Sequence, residues 1–311
     1  MLLQYPVPSA RFSVCRVGAQ HPINKLCAAP DRLESGIWSL ETVSTEKKPM
    51  PKVCQLFSGS SGNSIFMSDG RTKLLVDAGV SAKRIEQGLS AIGESADELS
   101  AILITHEHSD HIKGVRVFAS RHNIPVFGDN AVLEDMIMNG GITDNIHAEP
   151  VHKNMQIGTV EIVPFENSHD SIACLGYRVN MCGDRSVAVC TDTGYITDSA
   201  REALKGSDLV FLESNHEITM VQNGPYPYNL KRRILSRRGH LSNADCSEFA
   251  KELLESGTTR LVLAHLSREN NHPDIARQTT LAALAGAGFA EEHDFRLRVS
   301  PPENAERAIV L

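Results

Sequence analysis

The sequence predicts a layered α/β fold. Two patterns carry that prediction: strand-length apolar runs alternate with longer amphipathic segments, and no G-x-G-x-x-G dinucleotide loop follows any of the strands. The opening reads as a β-meander. Val53–Phe57 is a strand, Ser58-Gly59-Ser60-Ser61-Gly62-Asn63 a turn, Ser64–Met67 a second strand, Asp69-Gly70 a turn and Leu74–Asp77 a third strand. Beyond it the pattern predicts helix at 81–92, strand at 101–105, helix at 111–121, strand at 124–127 and helix at 130–138. Strands follow near 151–165, 174–180 and 186–191. Then come helix 198–204, strand 208–212, helices 229–237 and 243–255, strand 260–264, helix 274–286 and a tail strand at 295–299. No internal repeat is present.

Residues 1–51 lack this periodicity, carry several prolines and end at Lys47-Lys48-Pro49-Met50-Pro51. They read as a loosely ordered N-terminal extension ahead of a catalytic domain over 52–311, with Met50 as an alternative initiator. At 311 residues and 41% hydrophobic composition the chain can bury a large core. It has no run of 18 apolar residues and no basic-then-apolar leader, so we expect no membrane span and a cytoplasmic location. The seven cysteines are odd in number and contain no CxxC pair, which fits reduced thiols; Cys174, Cys182 and Cys190 fall in predicted strands.

The chemistry begins at Thr105-His106-Glu107-His108-Ser109-Asp110-His111, directly after the apolar run 101–104. Three imidazoles and a carboxylate within six residues suit a borderline divalent cation such as zinc or manganese, and one strand-to-helix turn can aim them at two adjacent ions. The competing reading is a polar loop whose histidines face water. Further ligand types stand at the ends of later strands: His169 after 160–165, Asp192 after 187–190 and His265 after 260–264. Each alone would be an ordinary cap or core residue. Together, after the HxHxDH turn and in this order, they are the kind of further ligand that a two-metal hydrolase needs.

A formal charge of −7 argues against a general polyanion binder, but the distribution is uneven. Between Glu217 and Asp245 there is no acidic residue, while Lys231, Arg232, Arg233, Arg237 and Arg238 follow Tyr226 and Tyr228. A solvated helix face explains this window. So does a phosphate-backbone contact with tyrosines stacked on bases.

From Val53 to about Val299 the chain resembles a metallo-β-lactamase-fold hydrolase, a four-layer αββα sandwich. Leu74-Leu75-Val76-Asp77-Ala78-Gly79 resembles the first motif of that family, where the Asp orients a ligand loop. The resemblance implies one metal held by His106, His108 and His169, the other by Asp110, His111 and His265, with Asp192 bridging. An Asp at the bridging position departs from the main antibiotic-hydrolysing branch. Leu212-Glu213-Ser214 and Gly239-His240-Leu241 resemble positions in tRNase Z-like phosphodiesterases, where a Glu–His pair handles the proton of the leaving oxygen. A helix N-terminal cap is the other reading of His240.

A narrower likeness is to the WalJ/YycJ group of bacterial proteins. It rests on Ser58-Gly59-Ser60-Ser61-Gly62-Asn63-Ser64, Glu213-Ser214-Asn215-His216, Gly224-Pro225-Tyr226-Pro227, Leu230-Lys231, Gly239-His240-Leu241-Ser242-Asn243 and Ala264-His265-Leu266-Ser267-Arg268-Glu269-Asn270-Asn271. That resemblance implies a 5′→3′ exonuclease acting on DNA rather than RNA through two Zn²⁺ or Mn²⁺ ions, with Asp110, His240 and Glu213 catalytic, and a homodimer. His169 and Asp192 are 23 positions apart, too few for the arm of tRNase Z. Asp192 and His265 are 73 apart, too few for the inserted domain of RNase J-like enzymes. Two rivals stay open: a glyoxalase II-like thioesterase or lactonase, and a metal-loaded regulatory protein without catalysis. Ser60, Ser61 and Asn63 read first as a tight turn. Glu269-Asn270-Asn271 reads as a clamp behind His265.

Overall fold

The computed structural model describes residues 50–304 and 306–311, so the expected extension lies almost entirely outside the described residues. Two seven-stranded sheets organise the rest. The first is built from β1 (Lys52–Phe57), β2 (Ser64–Ser68), β3 (Lys73–Val76), β4 (Ala101–Leu103), β5 (Val126–Gly128) and β6 (Ala148–Pro150) in chain order. The second holds β7 (Met155–Ile157), β8 (Val160–Glu166), β9 (Leu175–Met181), β10 (Arg185–Cys190), β11 (Leu209–Glu213), β12 (Arg260–Ala264) and β13 (Arg296–Val299). The final strand β14 (Ile309–Val310) returns to pair with β1. Each sheet opens as an antiparallel meander and continues parallel, from β3 in the first and from β10 in the second.

Alternation within each strand explains the layering, because successive side chains point to opposite faces. Leu74 and Val76 of β3, Val187 and Val189 of β10 and Leu209 and Phe211 of β11 share one core between the sheets. Their neighbours Leu75, Ala188, Cys190, Val210 and Leu212 face outward into two helix-covered cores. The first outer layer comprises α1 (Ala82–Ala91), α3 (Val115–His122) and α4 (Asn130–Met138). The second comprises α5 (Asp198–Leu204), α8 (Asn243–Glu255) and α9 (Pro273–Gly286). The result is the four-layer αββα sandwich. Tyr177, fully buried between the sheets, donates its hydroxyl to the Ile104 carbonyl at 2.5 Å, fixing the end of β4 just before the histidine run.

Several element boundaries differ from expectation. The helix expected at 111–121 is two, α2 (Ser109–Ile112) and α3, broken where Gly114 packs so closely on Val80 that a Cβ would lie 2.1 Å from its carbonyl oxygen. The stretch expected as strand near 151–165 is two strands, because the chain leaves the first sheet after Pro150 and forms the β7–β8 hairpin in the second. The helix α6 (Ile218–Asn223) is too short and uncapped to show a period, and helix 229–237 is α7 (Tyr228–Ile234), ending in a turn. Cys190 is a strand residue as expected. Cys174 precedes β9, and Cys182 sits in the β9–β10 turn. Among the described residues no helix is long and apolar enough to cross a membrane.

Candidate metal centre

Every predicted ligand emerges at or just beyond the C-terminal end of a strand, on one rim of the sandwich. Asp77, Asp192 and His265 each follow a parallel strand and adopt φ near +60° (61°, 59° and 56°), a conformation that turns the side chain sharply into the rim. Such left-handed non-glycine residues are uncommon and concentrate at functional sites. His106 and His108 lie between β4 and α2, Asp110 and His111 on α2, and His169 after β8.

The donor atoms converge in four overlapping groups, each within 4.8 Å: His106, His108 and His169; Asp110, His111 and His265; His106, His111 and Asp192; and Asp192, Glu213, His240 and His265. The first two are the two expected ligand sets, and Asp192 belongs to both remaining groups.

The donors fit divalent cations on a separate physical ground. His106 Nε2, His265 Nε2 and Asp192 Oδ2 are buried and make no hydrogen bond, although an unsatisfied buried polar atom costs about 1–3 kcal/mol. In both imidazoles the other nitrogen is engaged: His106 Nδ1 lies 3.0 Å from Thr105 Oγ1, and His265 Nδ1 lies 2.8 Å from Glu213 Oε1. His111 Nδ1 is 2.7 Å from Asp77 Oδ2, and His169 Nδ1 is 2.9 Å from the Gly239 carbonyl. In His106, His169 and His265 this is how metal-ligating histidines are oriented, one ring nitrogen held and the other presented, whereas His111 Nε2 also lies 3.0 Å from Asn63 Nδ2. Asp77 also accepts from Thr105 N at 2.8 Å and Thr105 Oγ1 at 2.9 Å, so one buried carboxylate fixes the whole His106–His111 turn.

The electrostatics divide the imidazoles. Burial, reinforced by the neighbouring histidines, pushes His106 well below the usual range, and burial also lowers His169. Burial opposes charge on His111 too, but Asp192, Asp77 and Asp110 outweigh it and raise the group to about 9. His265 is likewise pushed well above its usual value against burial, by Asp192, Asp110 and Glu213. Glu213 is fully buried, yet its contacts with His240 and His265 outweigh desolvation and hold it well below the carboxylate range.

Glu213 does more than the sequence suggested. Its Oε1 lies 2.8 Å from His240 Nδ1 and equally close to His265 Nδ1, while Oε2 accepts from Thr193 N at 2.8 Å and Leu241 N at 3.2 Å. Sequence reasoning also undervalued the first hairpin. Asn63 Nδ2 lies 3.0 Å from His111 Nε2, Ser58 Oγ accepts from His265 N at 2.9 Å, and Ser60 lines the cleft. Gly79, in the same motif as Asp77, packs where a Cβ would sit 1.7 Å from the Asp110 carbonyl oxygen. Of the stretch read as a clamp behind His265, Asn271 donates to the carbonyls of Ser214 and Asn215, while the bond to the His265 carbonyl comes from Asn215 Nδ2.

The ligands open into a cleft of about 250 Å³ whose walls include Tyr226, Arg233, His240 and Ser267. Of the basic window, only Arg233 lines it. Lys231 Nζ donates to the Gln222 carbonyl, Arg232 lies 5.9 Å from the exposed Tyr228 ring, Arg237 stacks 3.9 Å over Tyr195, and Arg238 donates to the carbonyls of His169 and Ser171. Tyr228 and these four cations therefore stand outside the cleft wall: α7 presents only one side to it, and Arg237 and Arg238 lie beyond its end.

An αββα sandwich whose rim gathers His, Asp and Glu in this order defines a metallo-β-lactamase-fold protein. The chain belongs to this superfamily: the family model described as "Beta-lactamase superfamily domain" matches residues 72–266. It is 38% identical over 255 residues to "Exodeoxyribonuclease WalJ" of Streptococcus pneumoniae, covering 80% of this chain and 94% of that one. It is 36% identical over 252 residues to "Exodeoxyribonuclease YycJ" of Bacillus anthracis, with the same coverage. Among solved structures, the metallo-β-lactamase fold protein YhfI of Bacillus subtilis superposes with a TM-score of 0.62 at 19% identity, over 82% of this chain and 98% of the other, a likeness of fold.

Proposed function

We propose that the chain is a metal-dependent nuclease, a 5′→3′ exonuclease acting on DNA through two divalent cations, Zn²⁺ or Mn²⁺, in the cytoplasm. The observation that carries this reading is the Glu213–His240 pair set against both ligand sets on the cleft floor, in a chain over a third identical to two exodeoxyribonucleases. His106, His108 and His169 would hold one cation, Asp110, His111 and His265 the other, and Asp192 would serve both. When bound, the cations supply a nucleophile from water at neutral pH and positive charge for a crowded phosphorus centre.

The protein's own groups do the remainder. Asp110, with its side chain about one-quarter exposed, orients the attacking water at the cleft floor. His240 lines the cleft with Nδ1 held by Glu213, and it donates a proton to the leaving 3′ oxygen. Glu213 fixes the ring's tautomer and angle. Discrimination against RNA falls to groups near the sugar's 2′ carbon.

The test is digestion of 5′-labelled and 3′-labelled linear duplex DNA, beside matched RNA, by metal-stripped protein restored with manganese or zinc, with Asp110→Ala as control. Stepwise loss from the 5′ end of DNA, absent in the variant, is expected. Faster cleavage of a thioester than of either nucleic acid would replace this reading with a glyoxalase II-like one. Size-exclusion chromatography of the same preparation reads the expected homodimer.

A further inference from the structure

Asp170 follows His169, and its carboxylate faces two ways. Oδ1 lies 3.3 Å from His169 Nε2, the nitrogen turned toward the first ligand set, and 3.0 Å from Arg233 Nη2, while Oδ2 accepts from Arg233 Nε. The guanidinium fork is thus filled by an anion at the edge of the metal centre. Carboxylate and phosphate present the same pair of oxygens to such a fork, and both bind it bidentately.

Three facts set this pair apart. Arg233 is the one Lys or Arg among the residues lining the cleft. The other four cations of its window face Gln222, Tyr228, Tyr195 and the backbone of His169 and Ser171. Both partners are open to water, with side-chain exposures of 52% for Arg233 and 27% for Asp170, so an incoming anion can reach the fork.

We propose that Arg233 is the cleft's phosphate-binding side chain and that Asp170 holds the phosphate's place, so that substrate binding transfers the guanidinium fork from the Asp170 carboxylate to two phosphate oxygens. The inference rests on the nuclease reading and adds a basis for selectivity. A phosphodiester repays the broken Asp170 contact with an equivalent one. A neutral ester has no anion to offer, so the pair stays closed against it. Asp170 and Arg233 are specificity residues, and the reacting atoms belong to other groups.

The experiment uses the full chain loaded with manganese and 5′-phosphorylated duplex DNA, comparing wild type with Arg233→Gln, Arg233→Lys, Asp170→Asn and the Asp170→Asn/Arg233→Gln double variant. KM, kcat, metal content and the salt dependence of KM are read for each. Arg233→Gln is expected to raise KM about tenfold or more, keep kcat and metal content, and reduce the slope of log KM against log salt by about 1. Arg233→Lys should restore part of the KM, since it keeps the charge and loses the fork. Asp170→Asn should lower KM in the presence of Arg233 and change nothing in the double variant. An unchanged KM and salt slope in an active Arg233→Gln enzyme would overturn the proposal, and so would loss of metal from Asp170→Asn, which would make Asp170 a ligand. A wild type that cleaves neither DNA nor RNA would instead remove the nuclease reading, and this inference with it.

Discussion

Glu213 Oε1 lies 2.8 Å from His265 Nδ1, and the same oxygen lies 2.8 Å from His240 Nδ1. One buried carboxylate therefore serves both a candidate ligand and the candidate proton donor. The two functions separate by mutation. His240→Ala is expected to keep its metal and lose about 10²–10⁴ in turnover, the usual worth of a positioned acid. Glu213→Gln is expected to lose turnover and also about 10–100-fold in metal affinity, the cost of removing a group that orients a ligand. Metal analysis beside initial rates checks both; equal metal loss in His240→Ala would refute the proton-donor role.

Asp192, the carboxylate that would serve both proposed cations, is 1% exposed, with Oδ2 making no hydrogen bond. Asp192→Ala should retain the fold and lose both cations. Elemental analysis after dialysis measures the stoichiometry, and retention of two ions per chain would show that His106 to His111, His169 and His265 suffice without it.

Metal uptake should release protons. Without cations, His111, at about 9, carries a proton near pH 7, and Asp192, Asp110 and Glu213 push His265 upward too, whereas ligation needs the neutral imidazole. Apparent affinity should therefore rise with pH until about 9, as fewer protons have to be displaced. Titration calorimetry in two buffers of different ionisation enthalpy tests the sign; identical heats in both would contradict it.

Gly79 is fixed by contact with the Asp110 backbone, where a Cβ would lie 1.7 Å from the carbonyl oxygen. Gly79→Ala must push the Asp110–His111 turn off its seat, with an expected loss of about 2–4 kcal/mol in stability. Urea unfolding measures it. A variant as stable as wild type would mean that the turn relaxes freely.

The first hairpin and the metal turn show where the sequence was legible. His106, His108, Asp110 and His111 are close in the chain, and their spacing at a strand end is itself the signal. Asp192 and His265 could be found because each terminates an apolar run of strand length. Glu213's second bond, to His265, was illegible because 52 residues separate the two, and only the parallel register of β11 on β12 makes them neighbours. Asn63 was hidden for another reason: its Gly-rich surroundings explain themselves as turn chemistry, and nothing local shows that the amide reaches His111. Helix boundaries failed where tertiary contacts override period, as at Gly114. The basic window was visible as composition, but which of its five cations faces the cleft depends on the short α7 and its preceding loop.

The ligand sets draw on both sheets. His106, His108, Asp110 and His111 come from the first, and His169, Asp192 and His265 from the second. Neither proposed cation position can be completed by one half of the sandwich, and the last ligand arrives more than 150 residues after the first. A copy truncated after β6 thus holds only a fragment of the proposed chelate. The proposed ligand sets are complete only where the two halves of the sandwich meet.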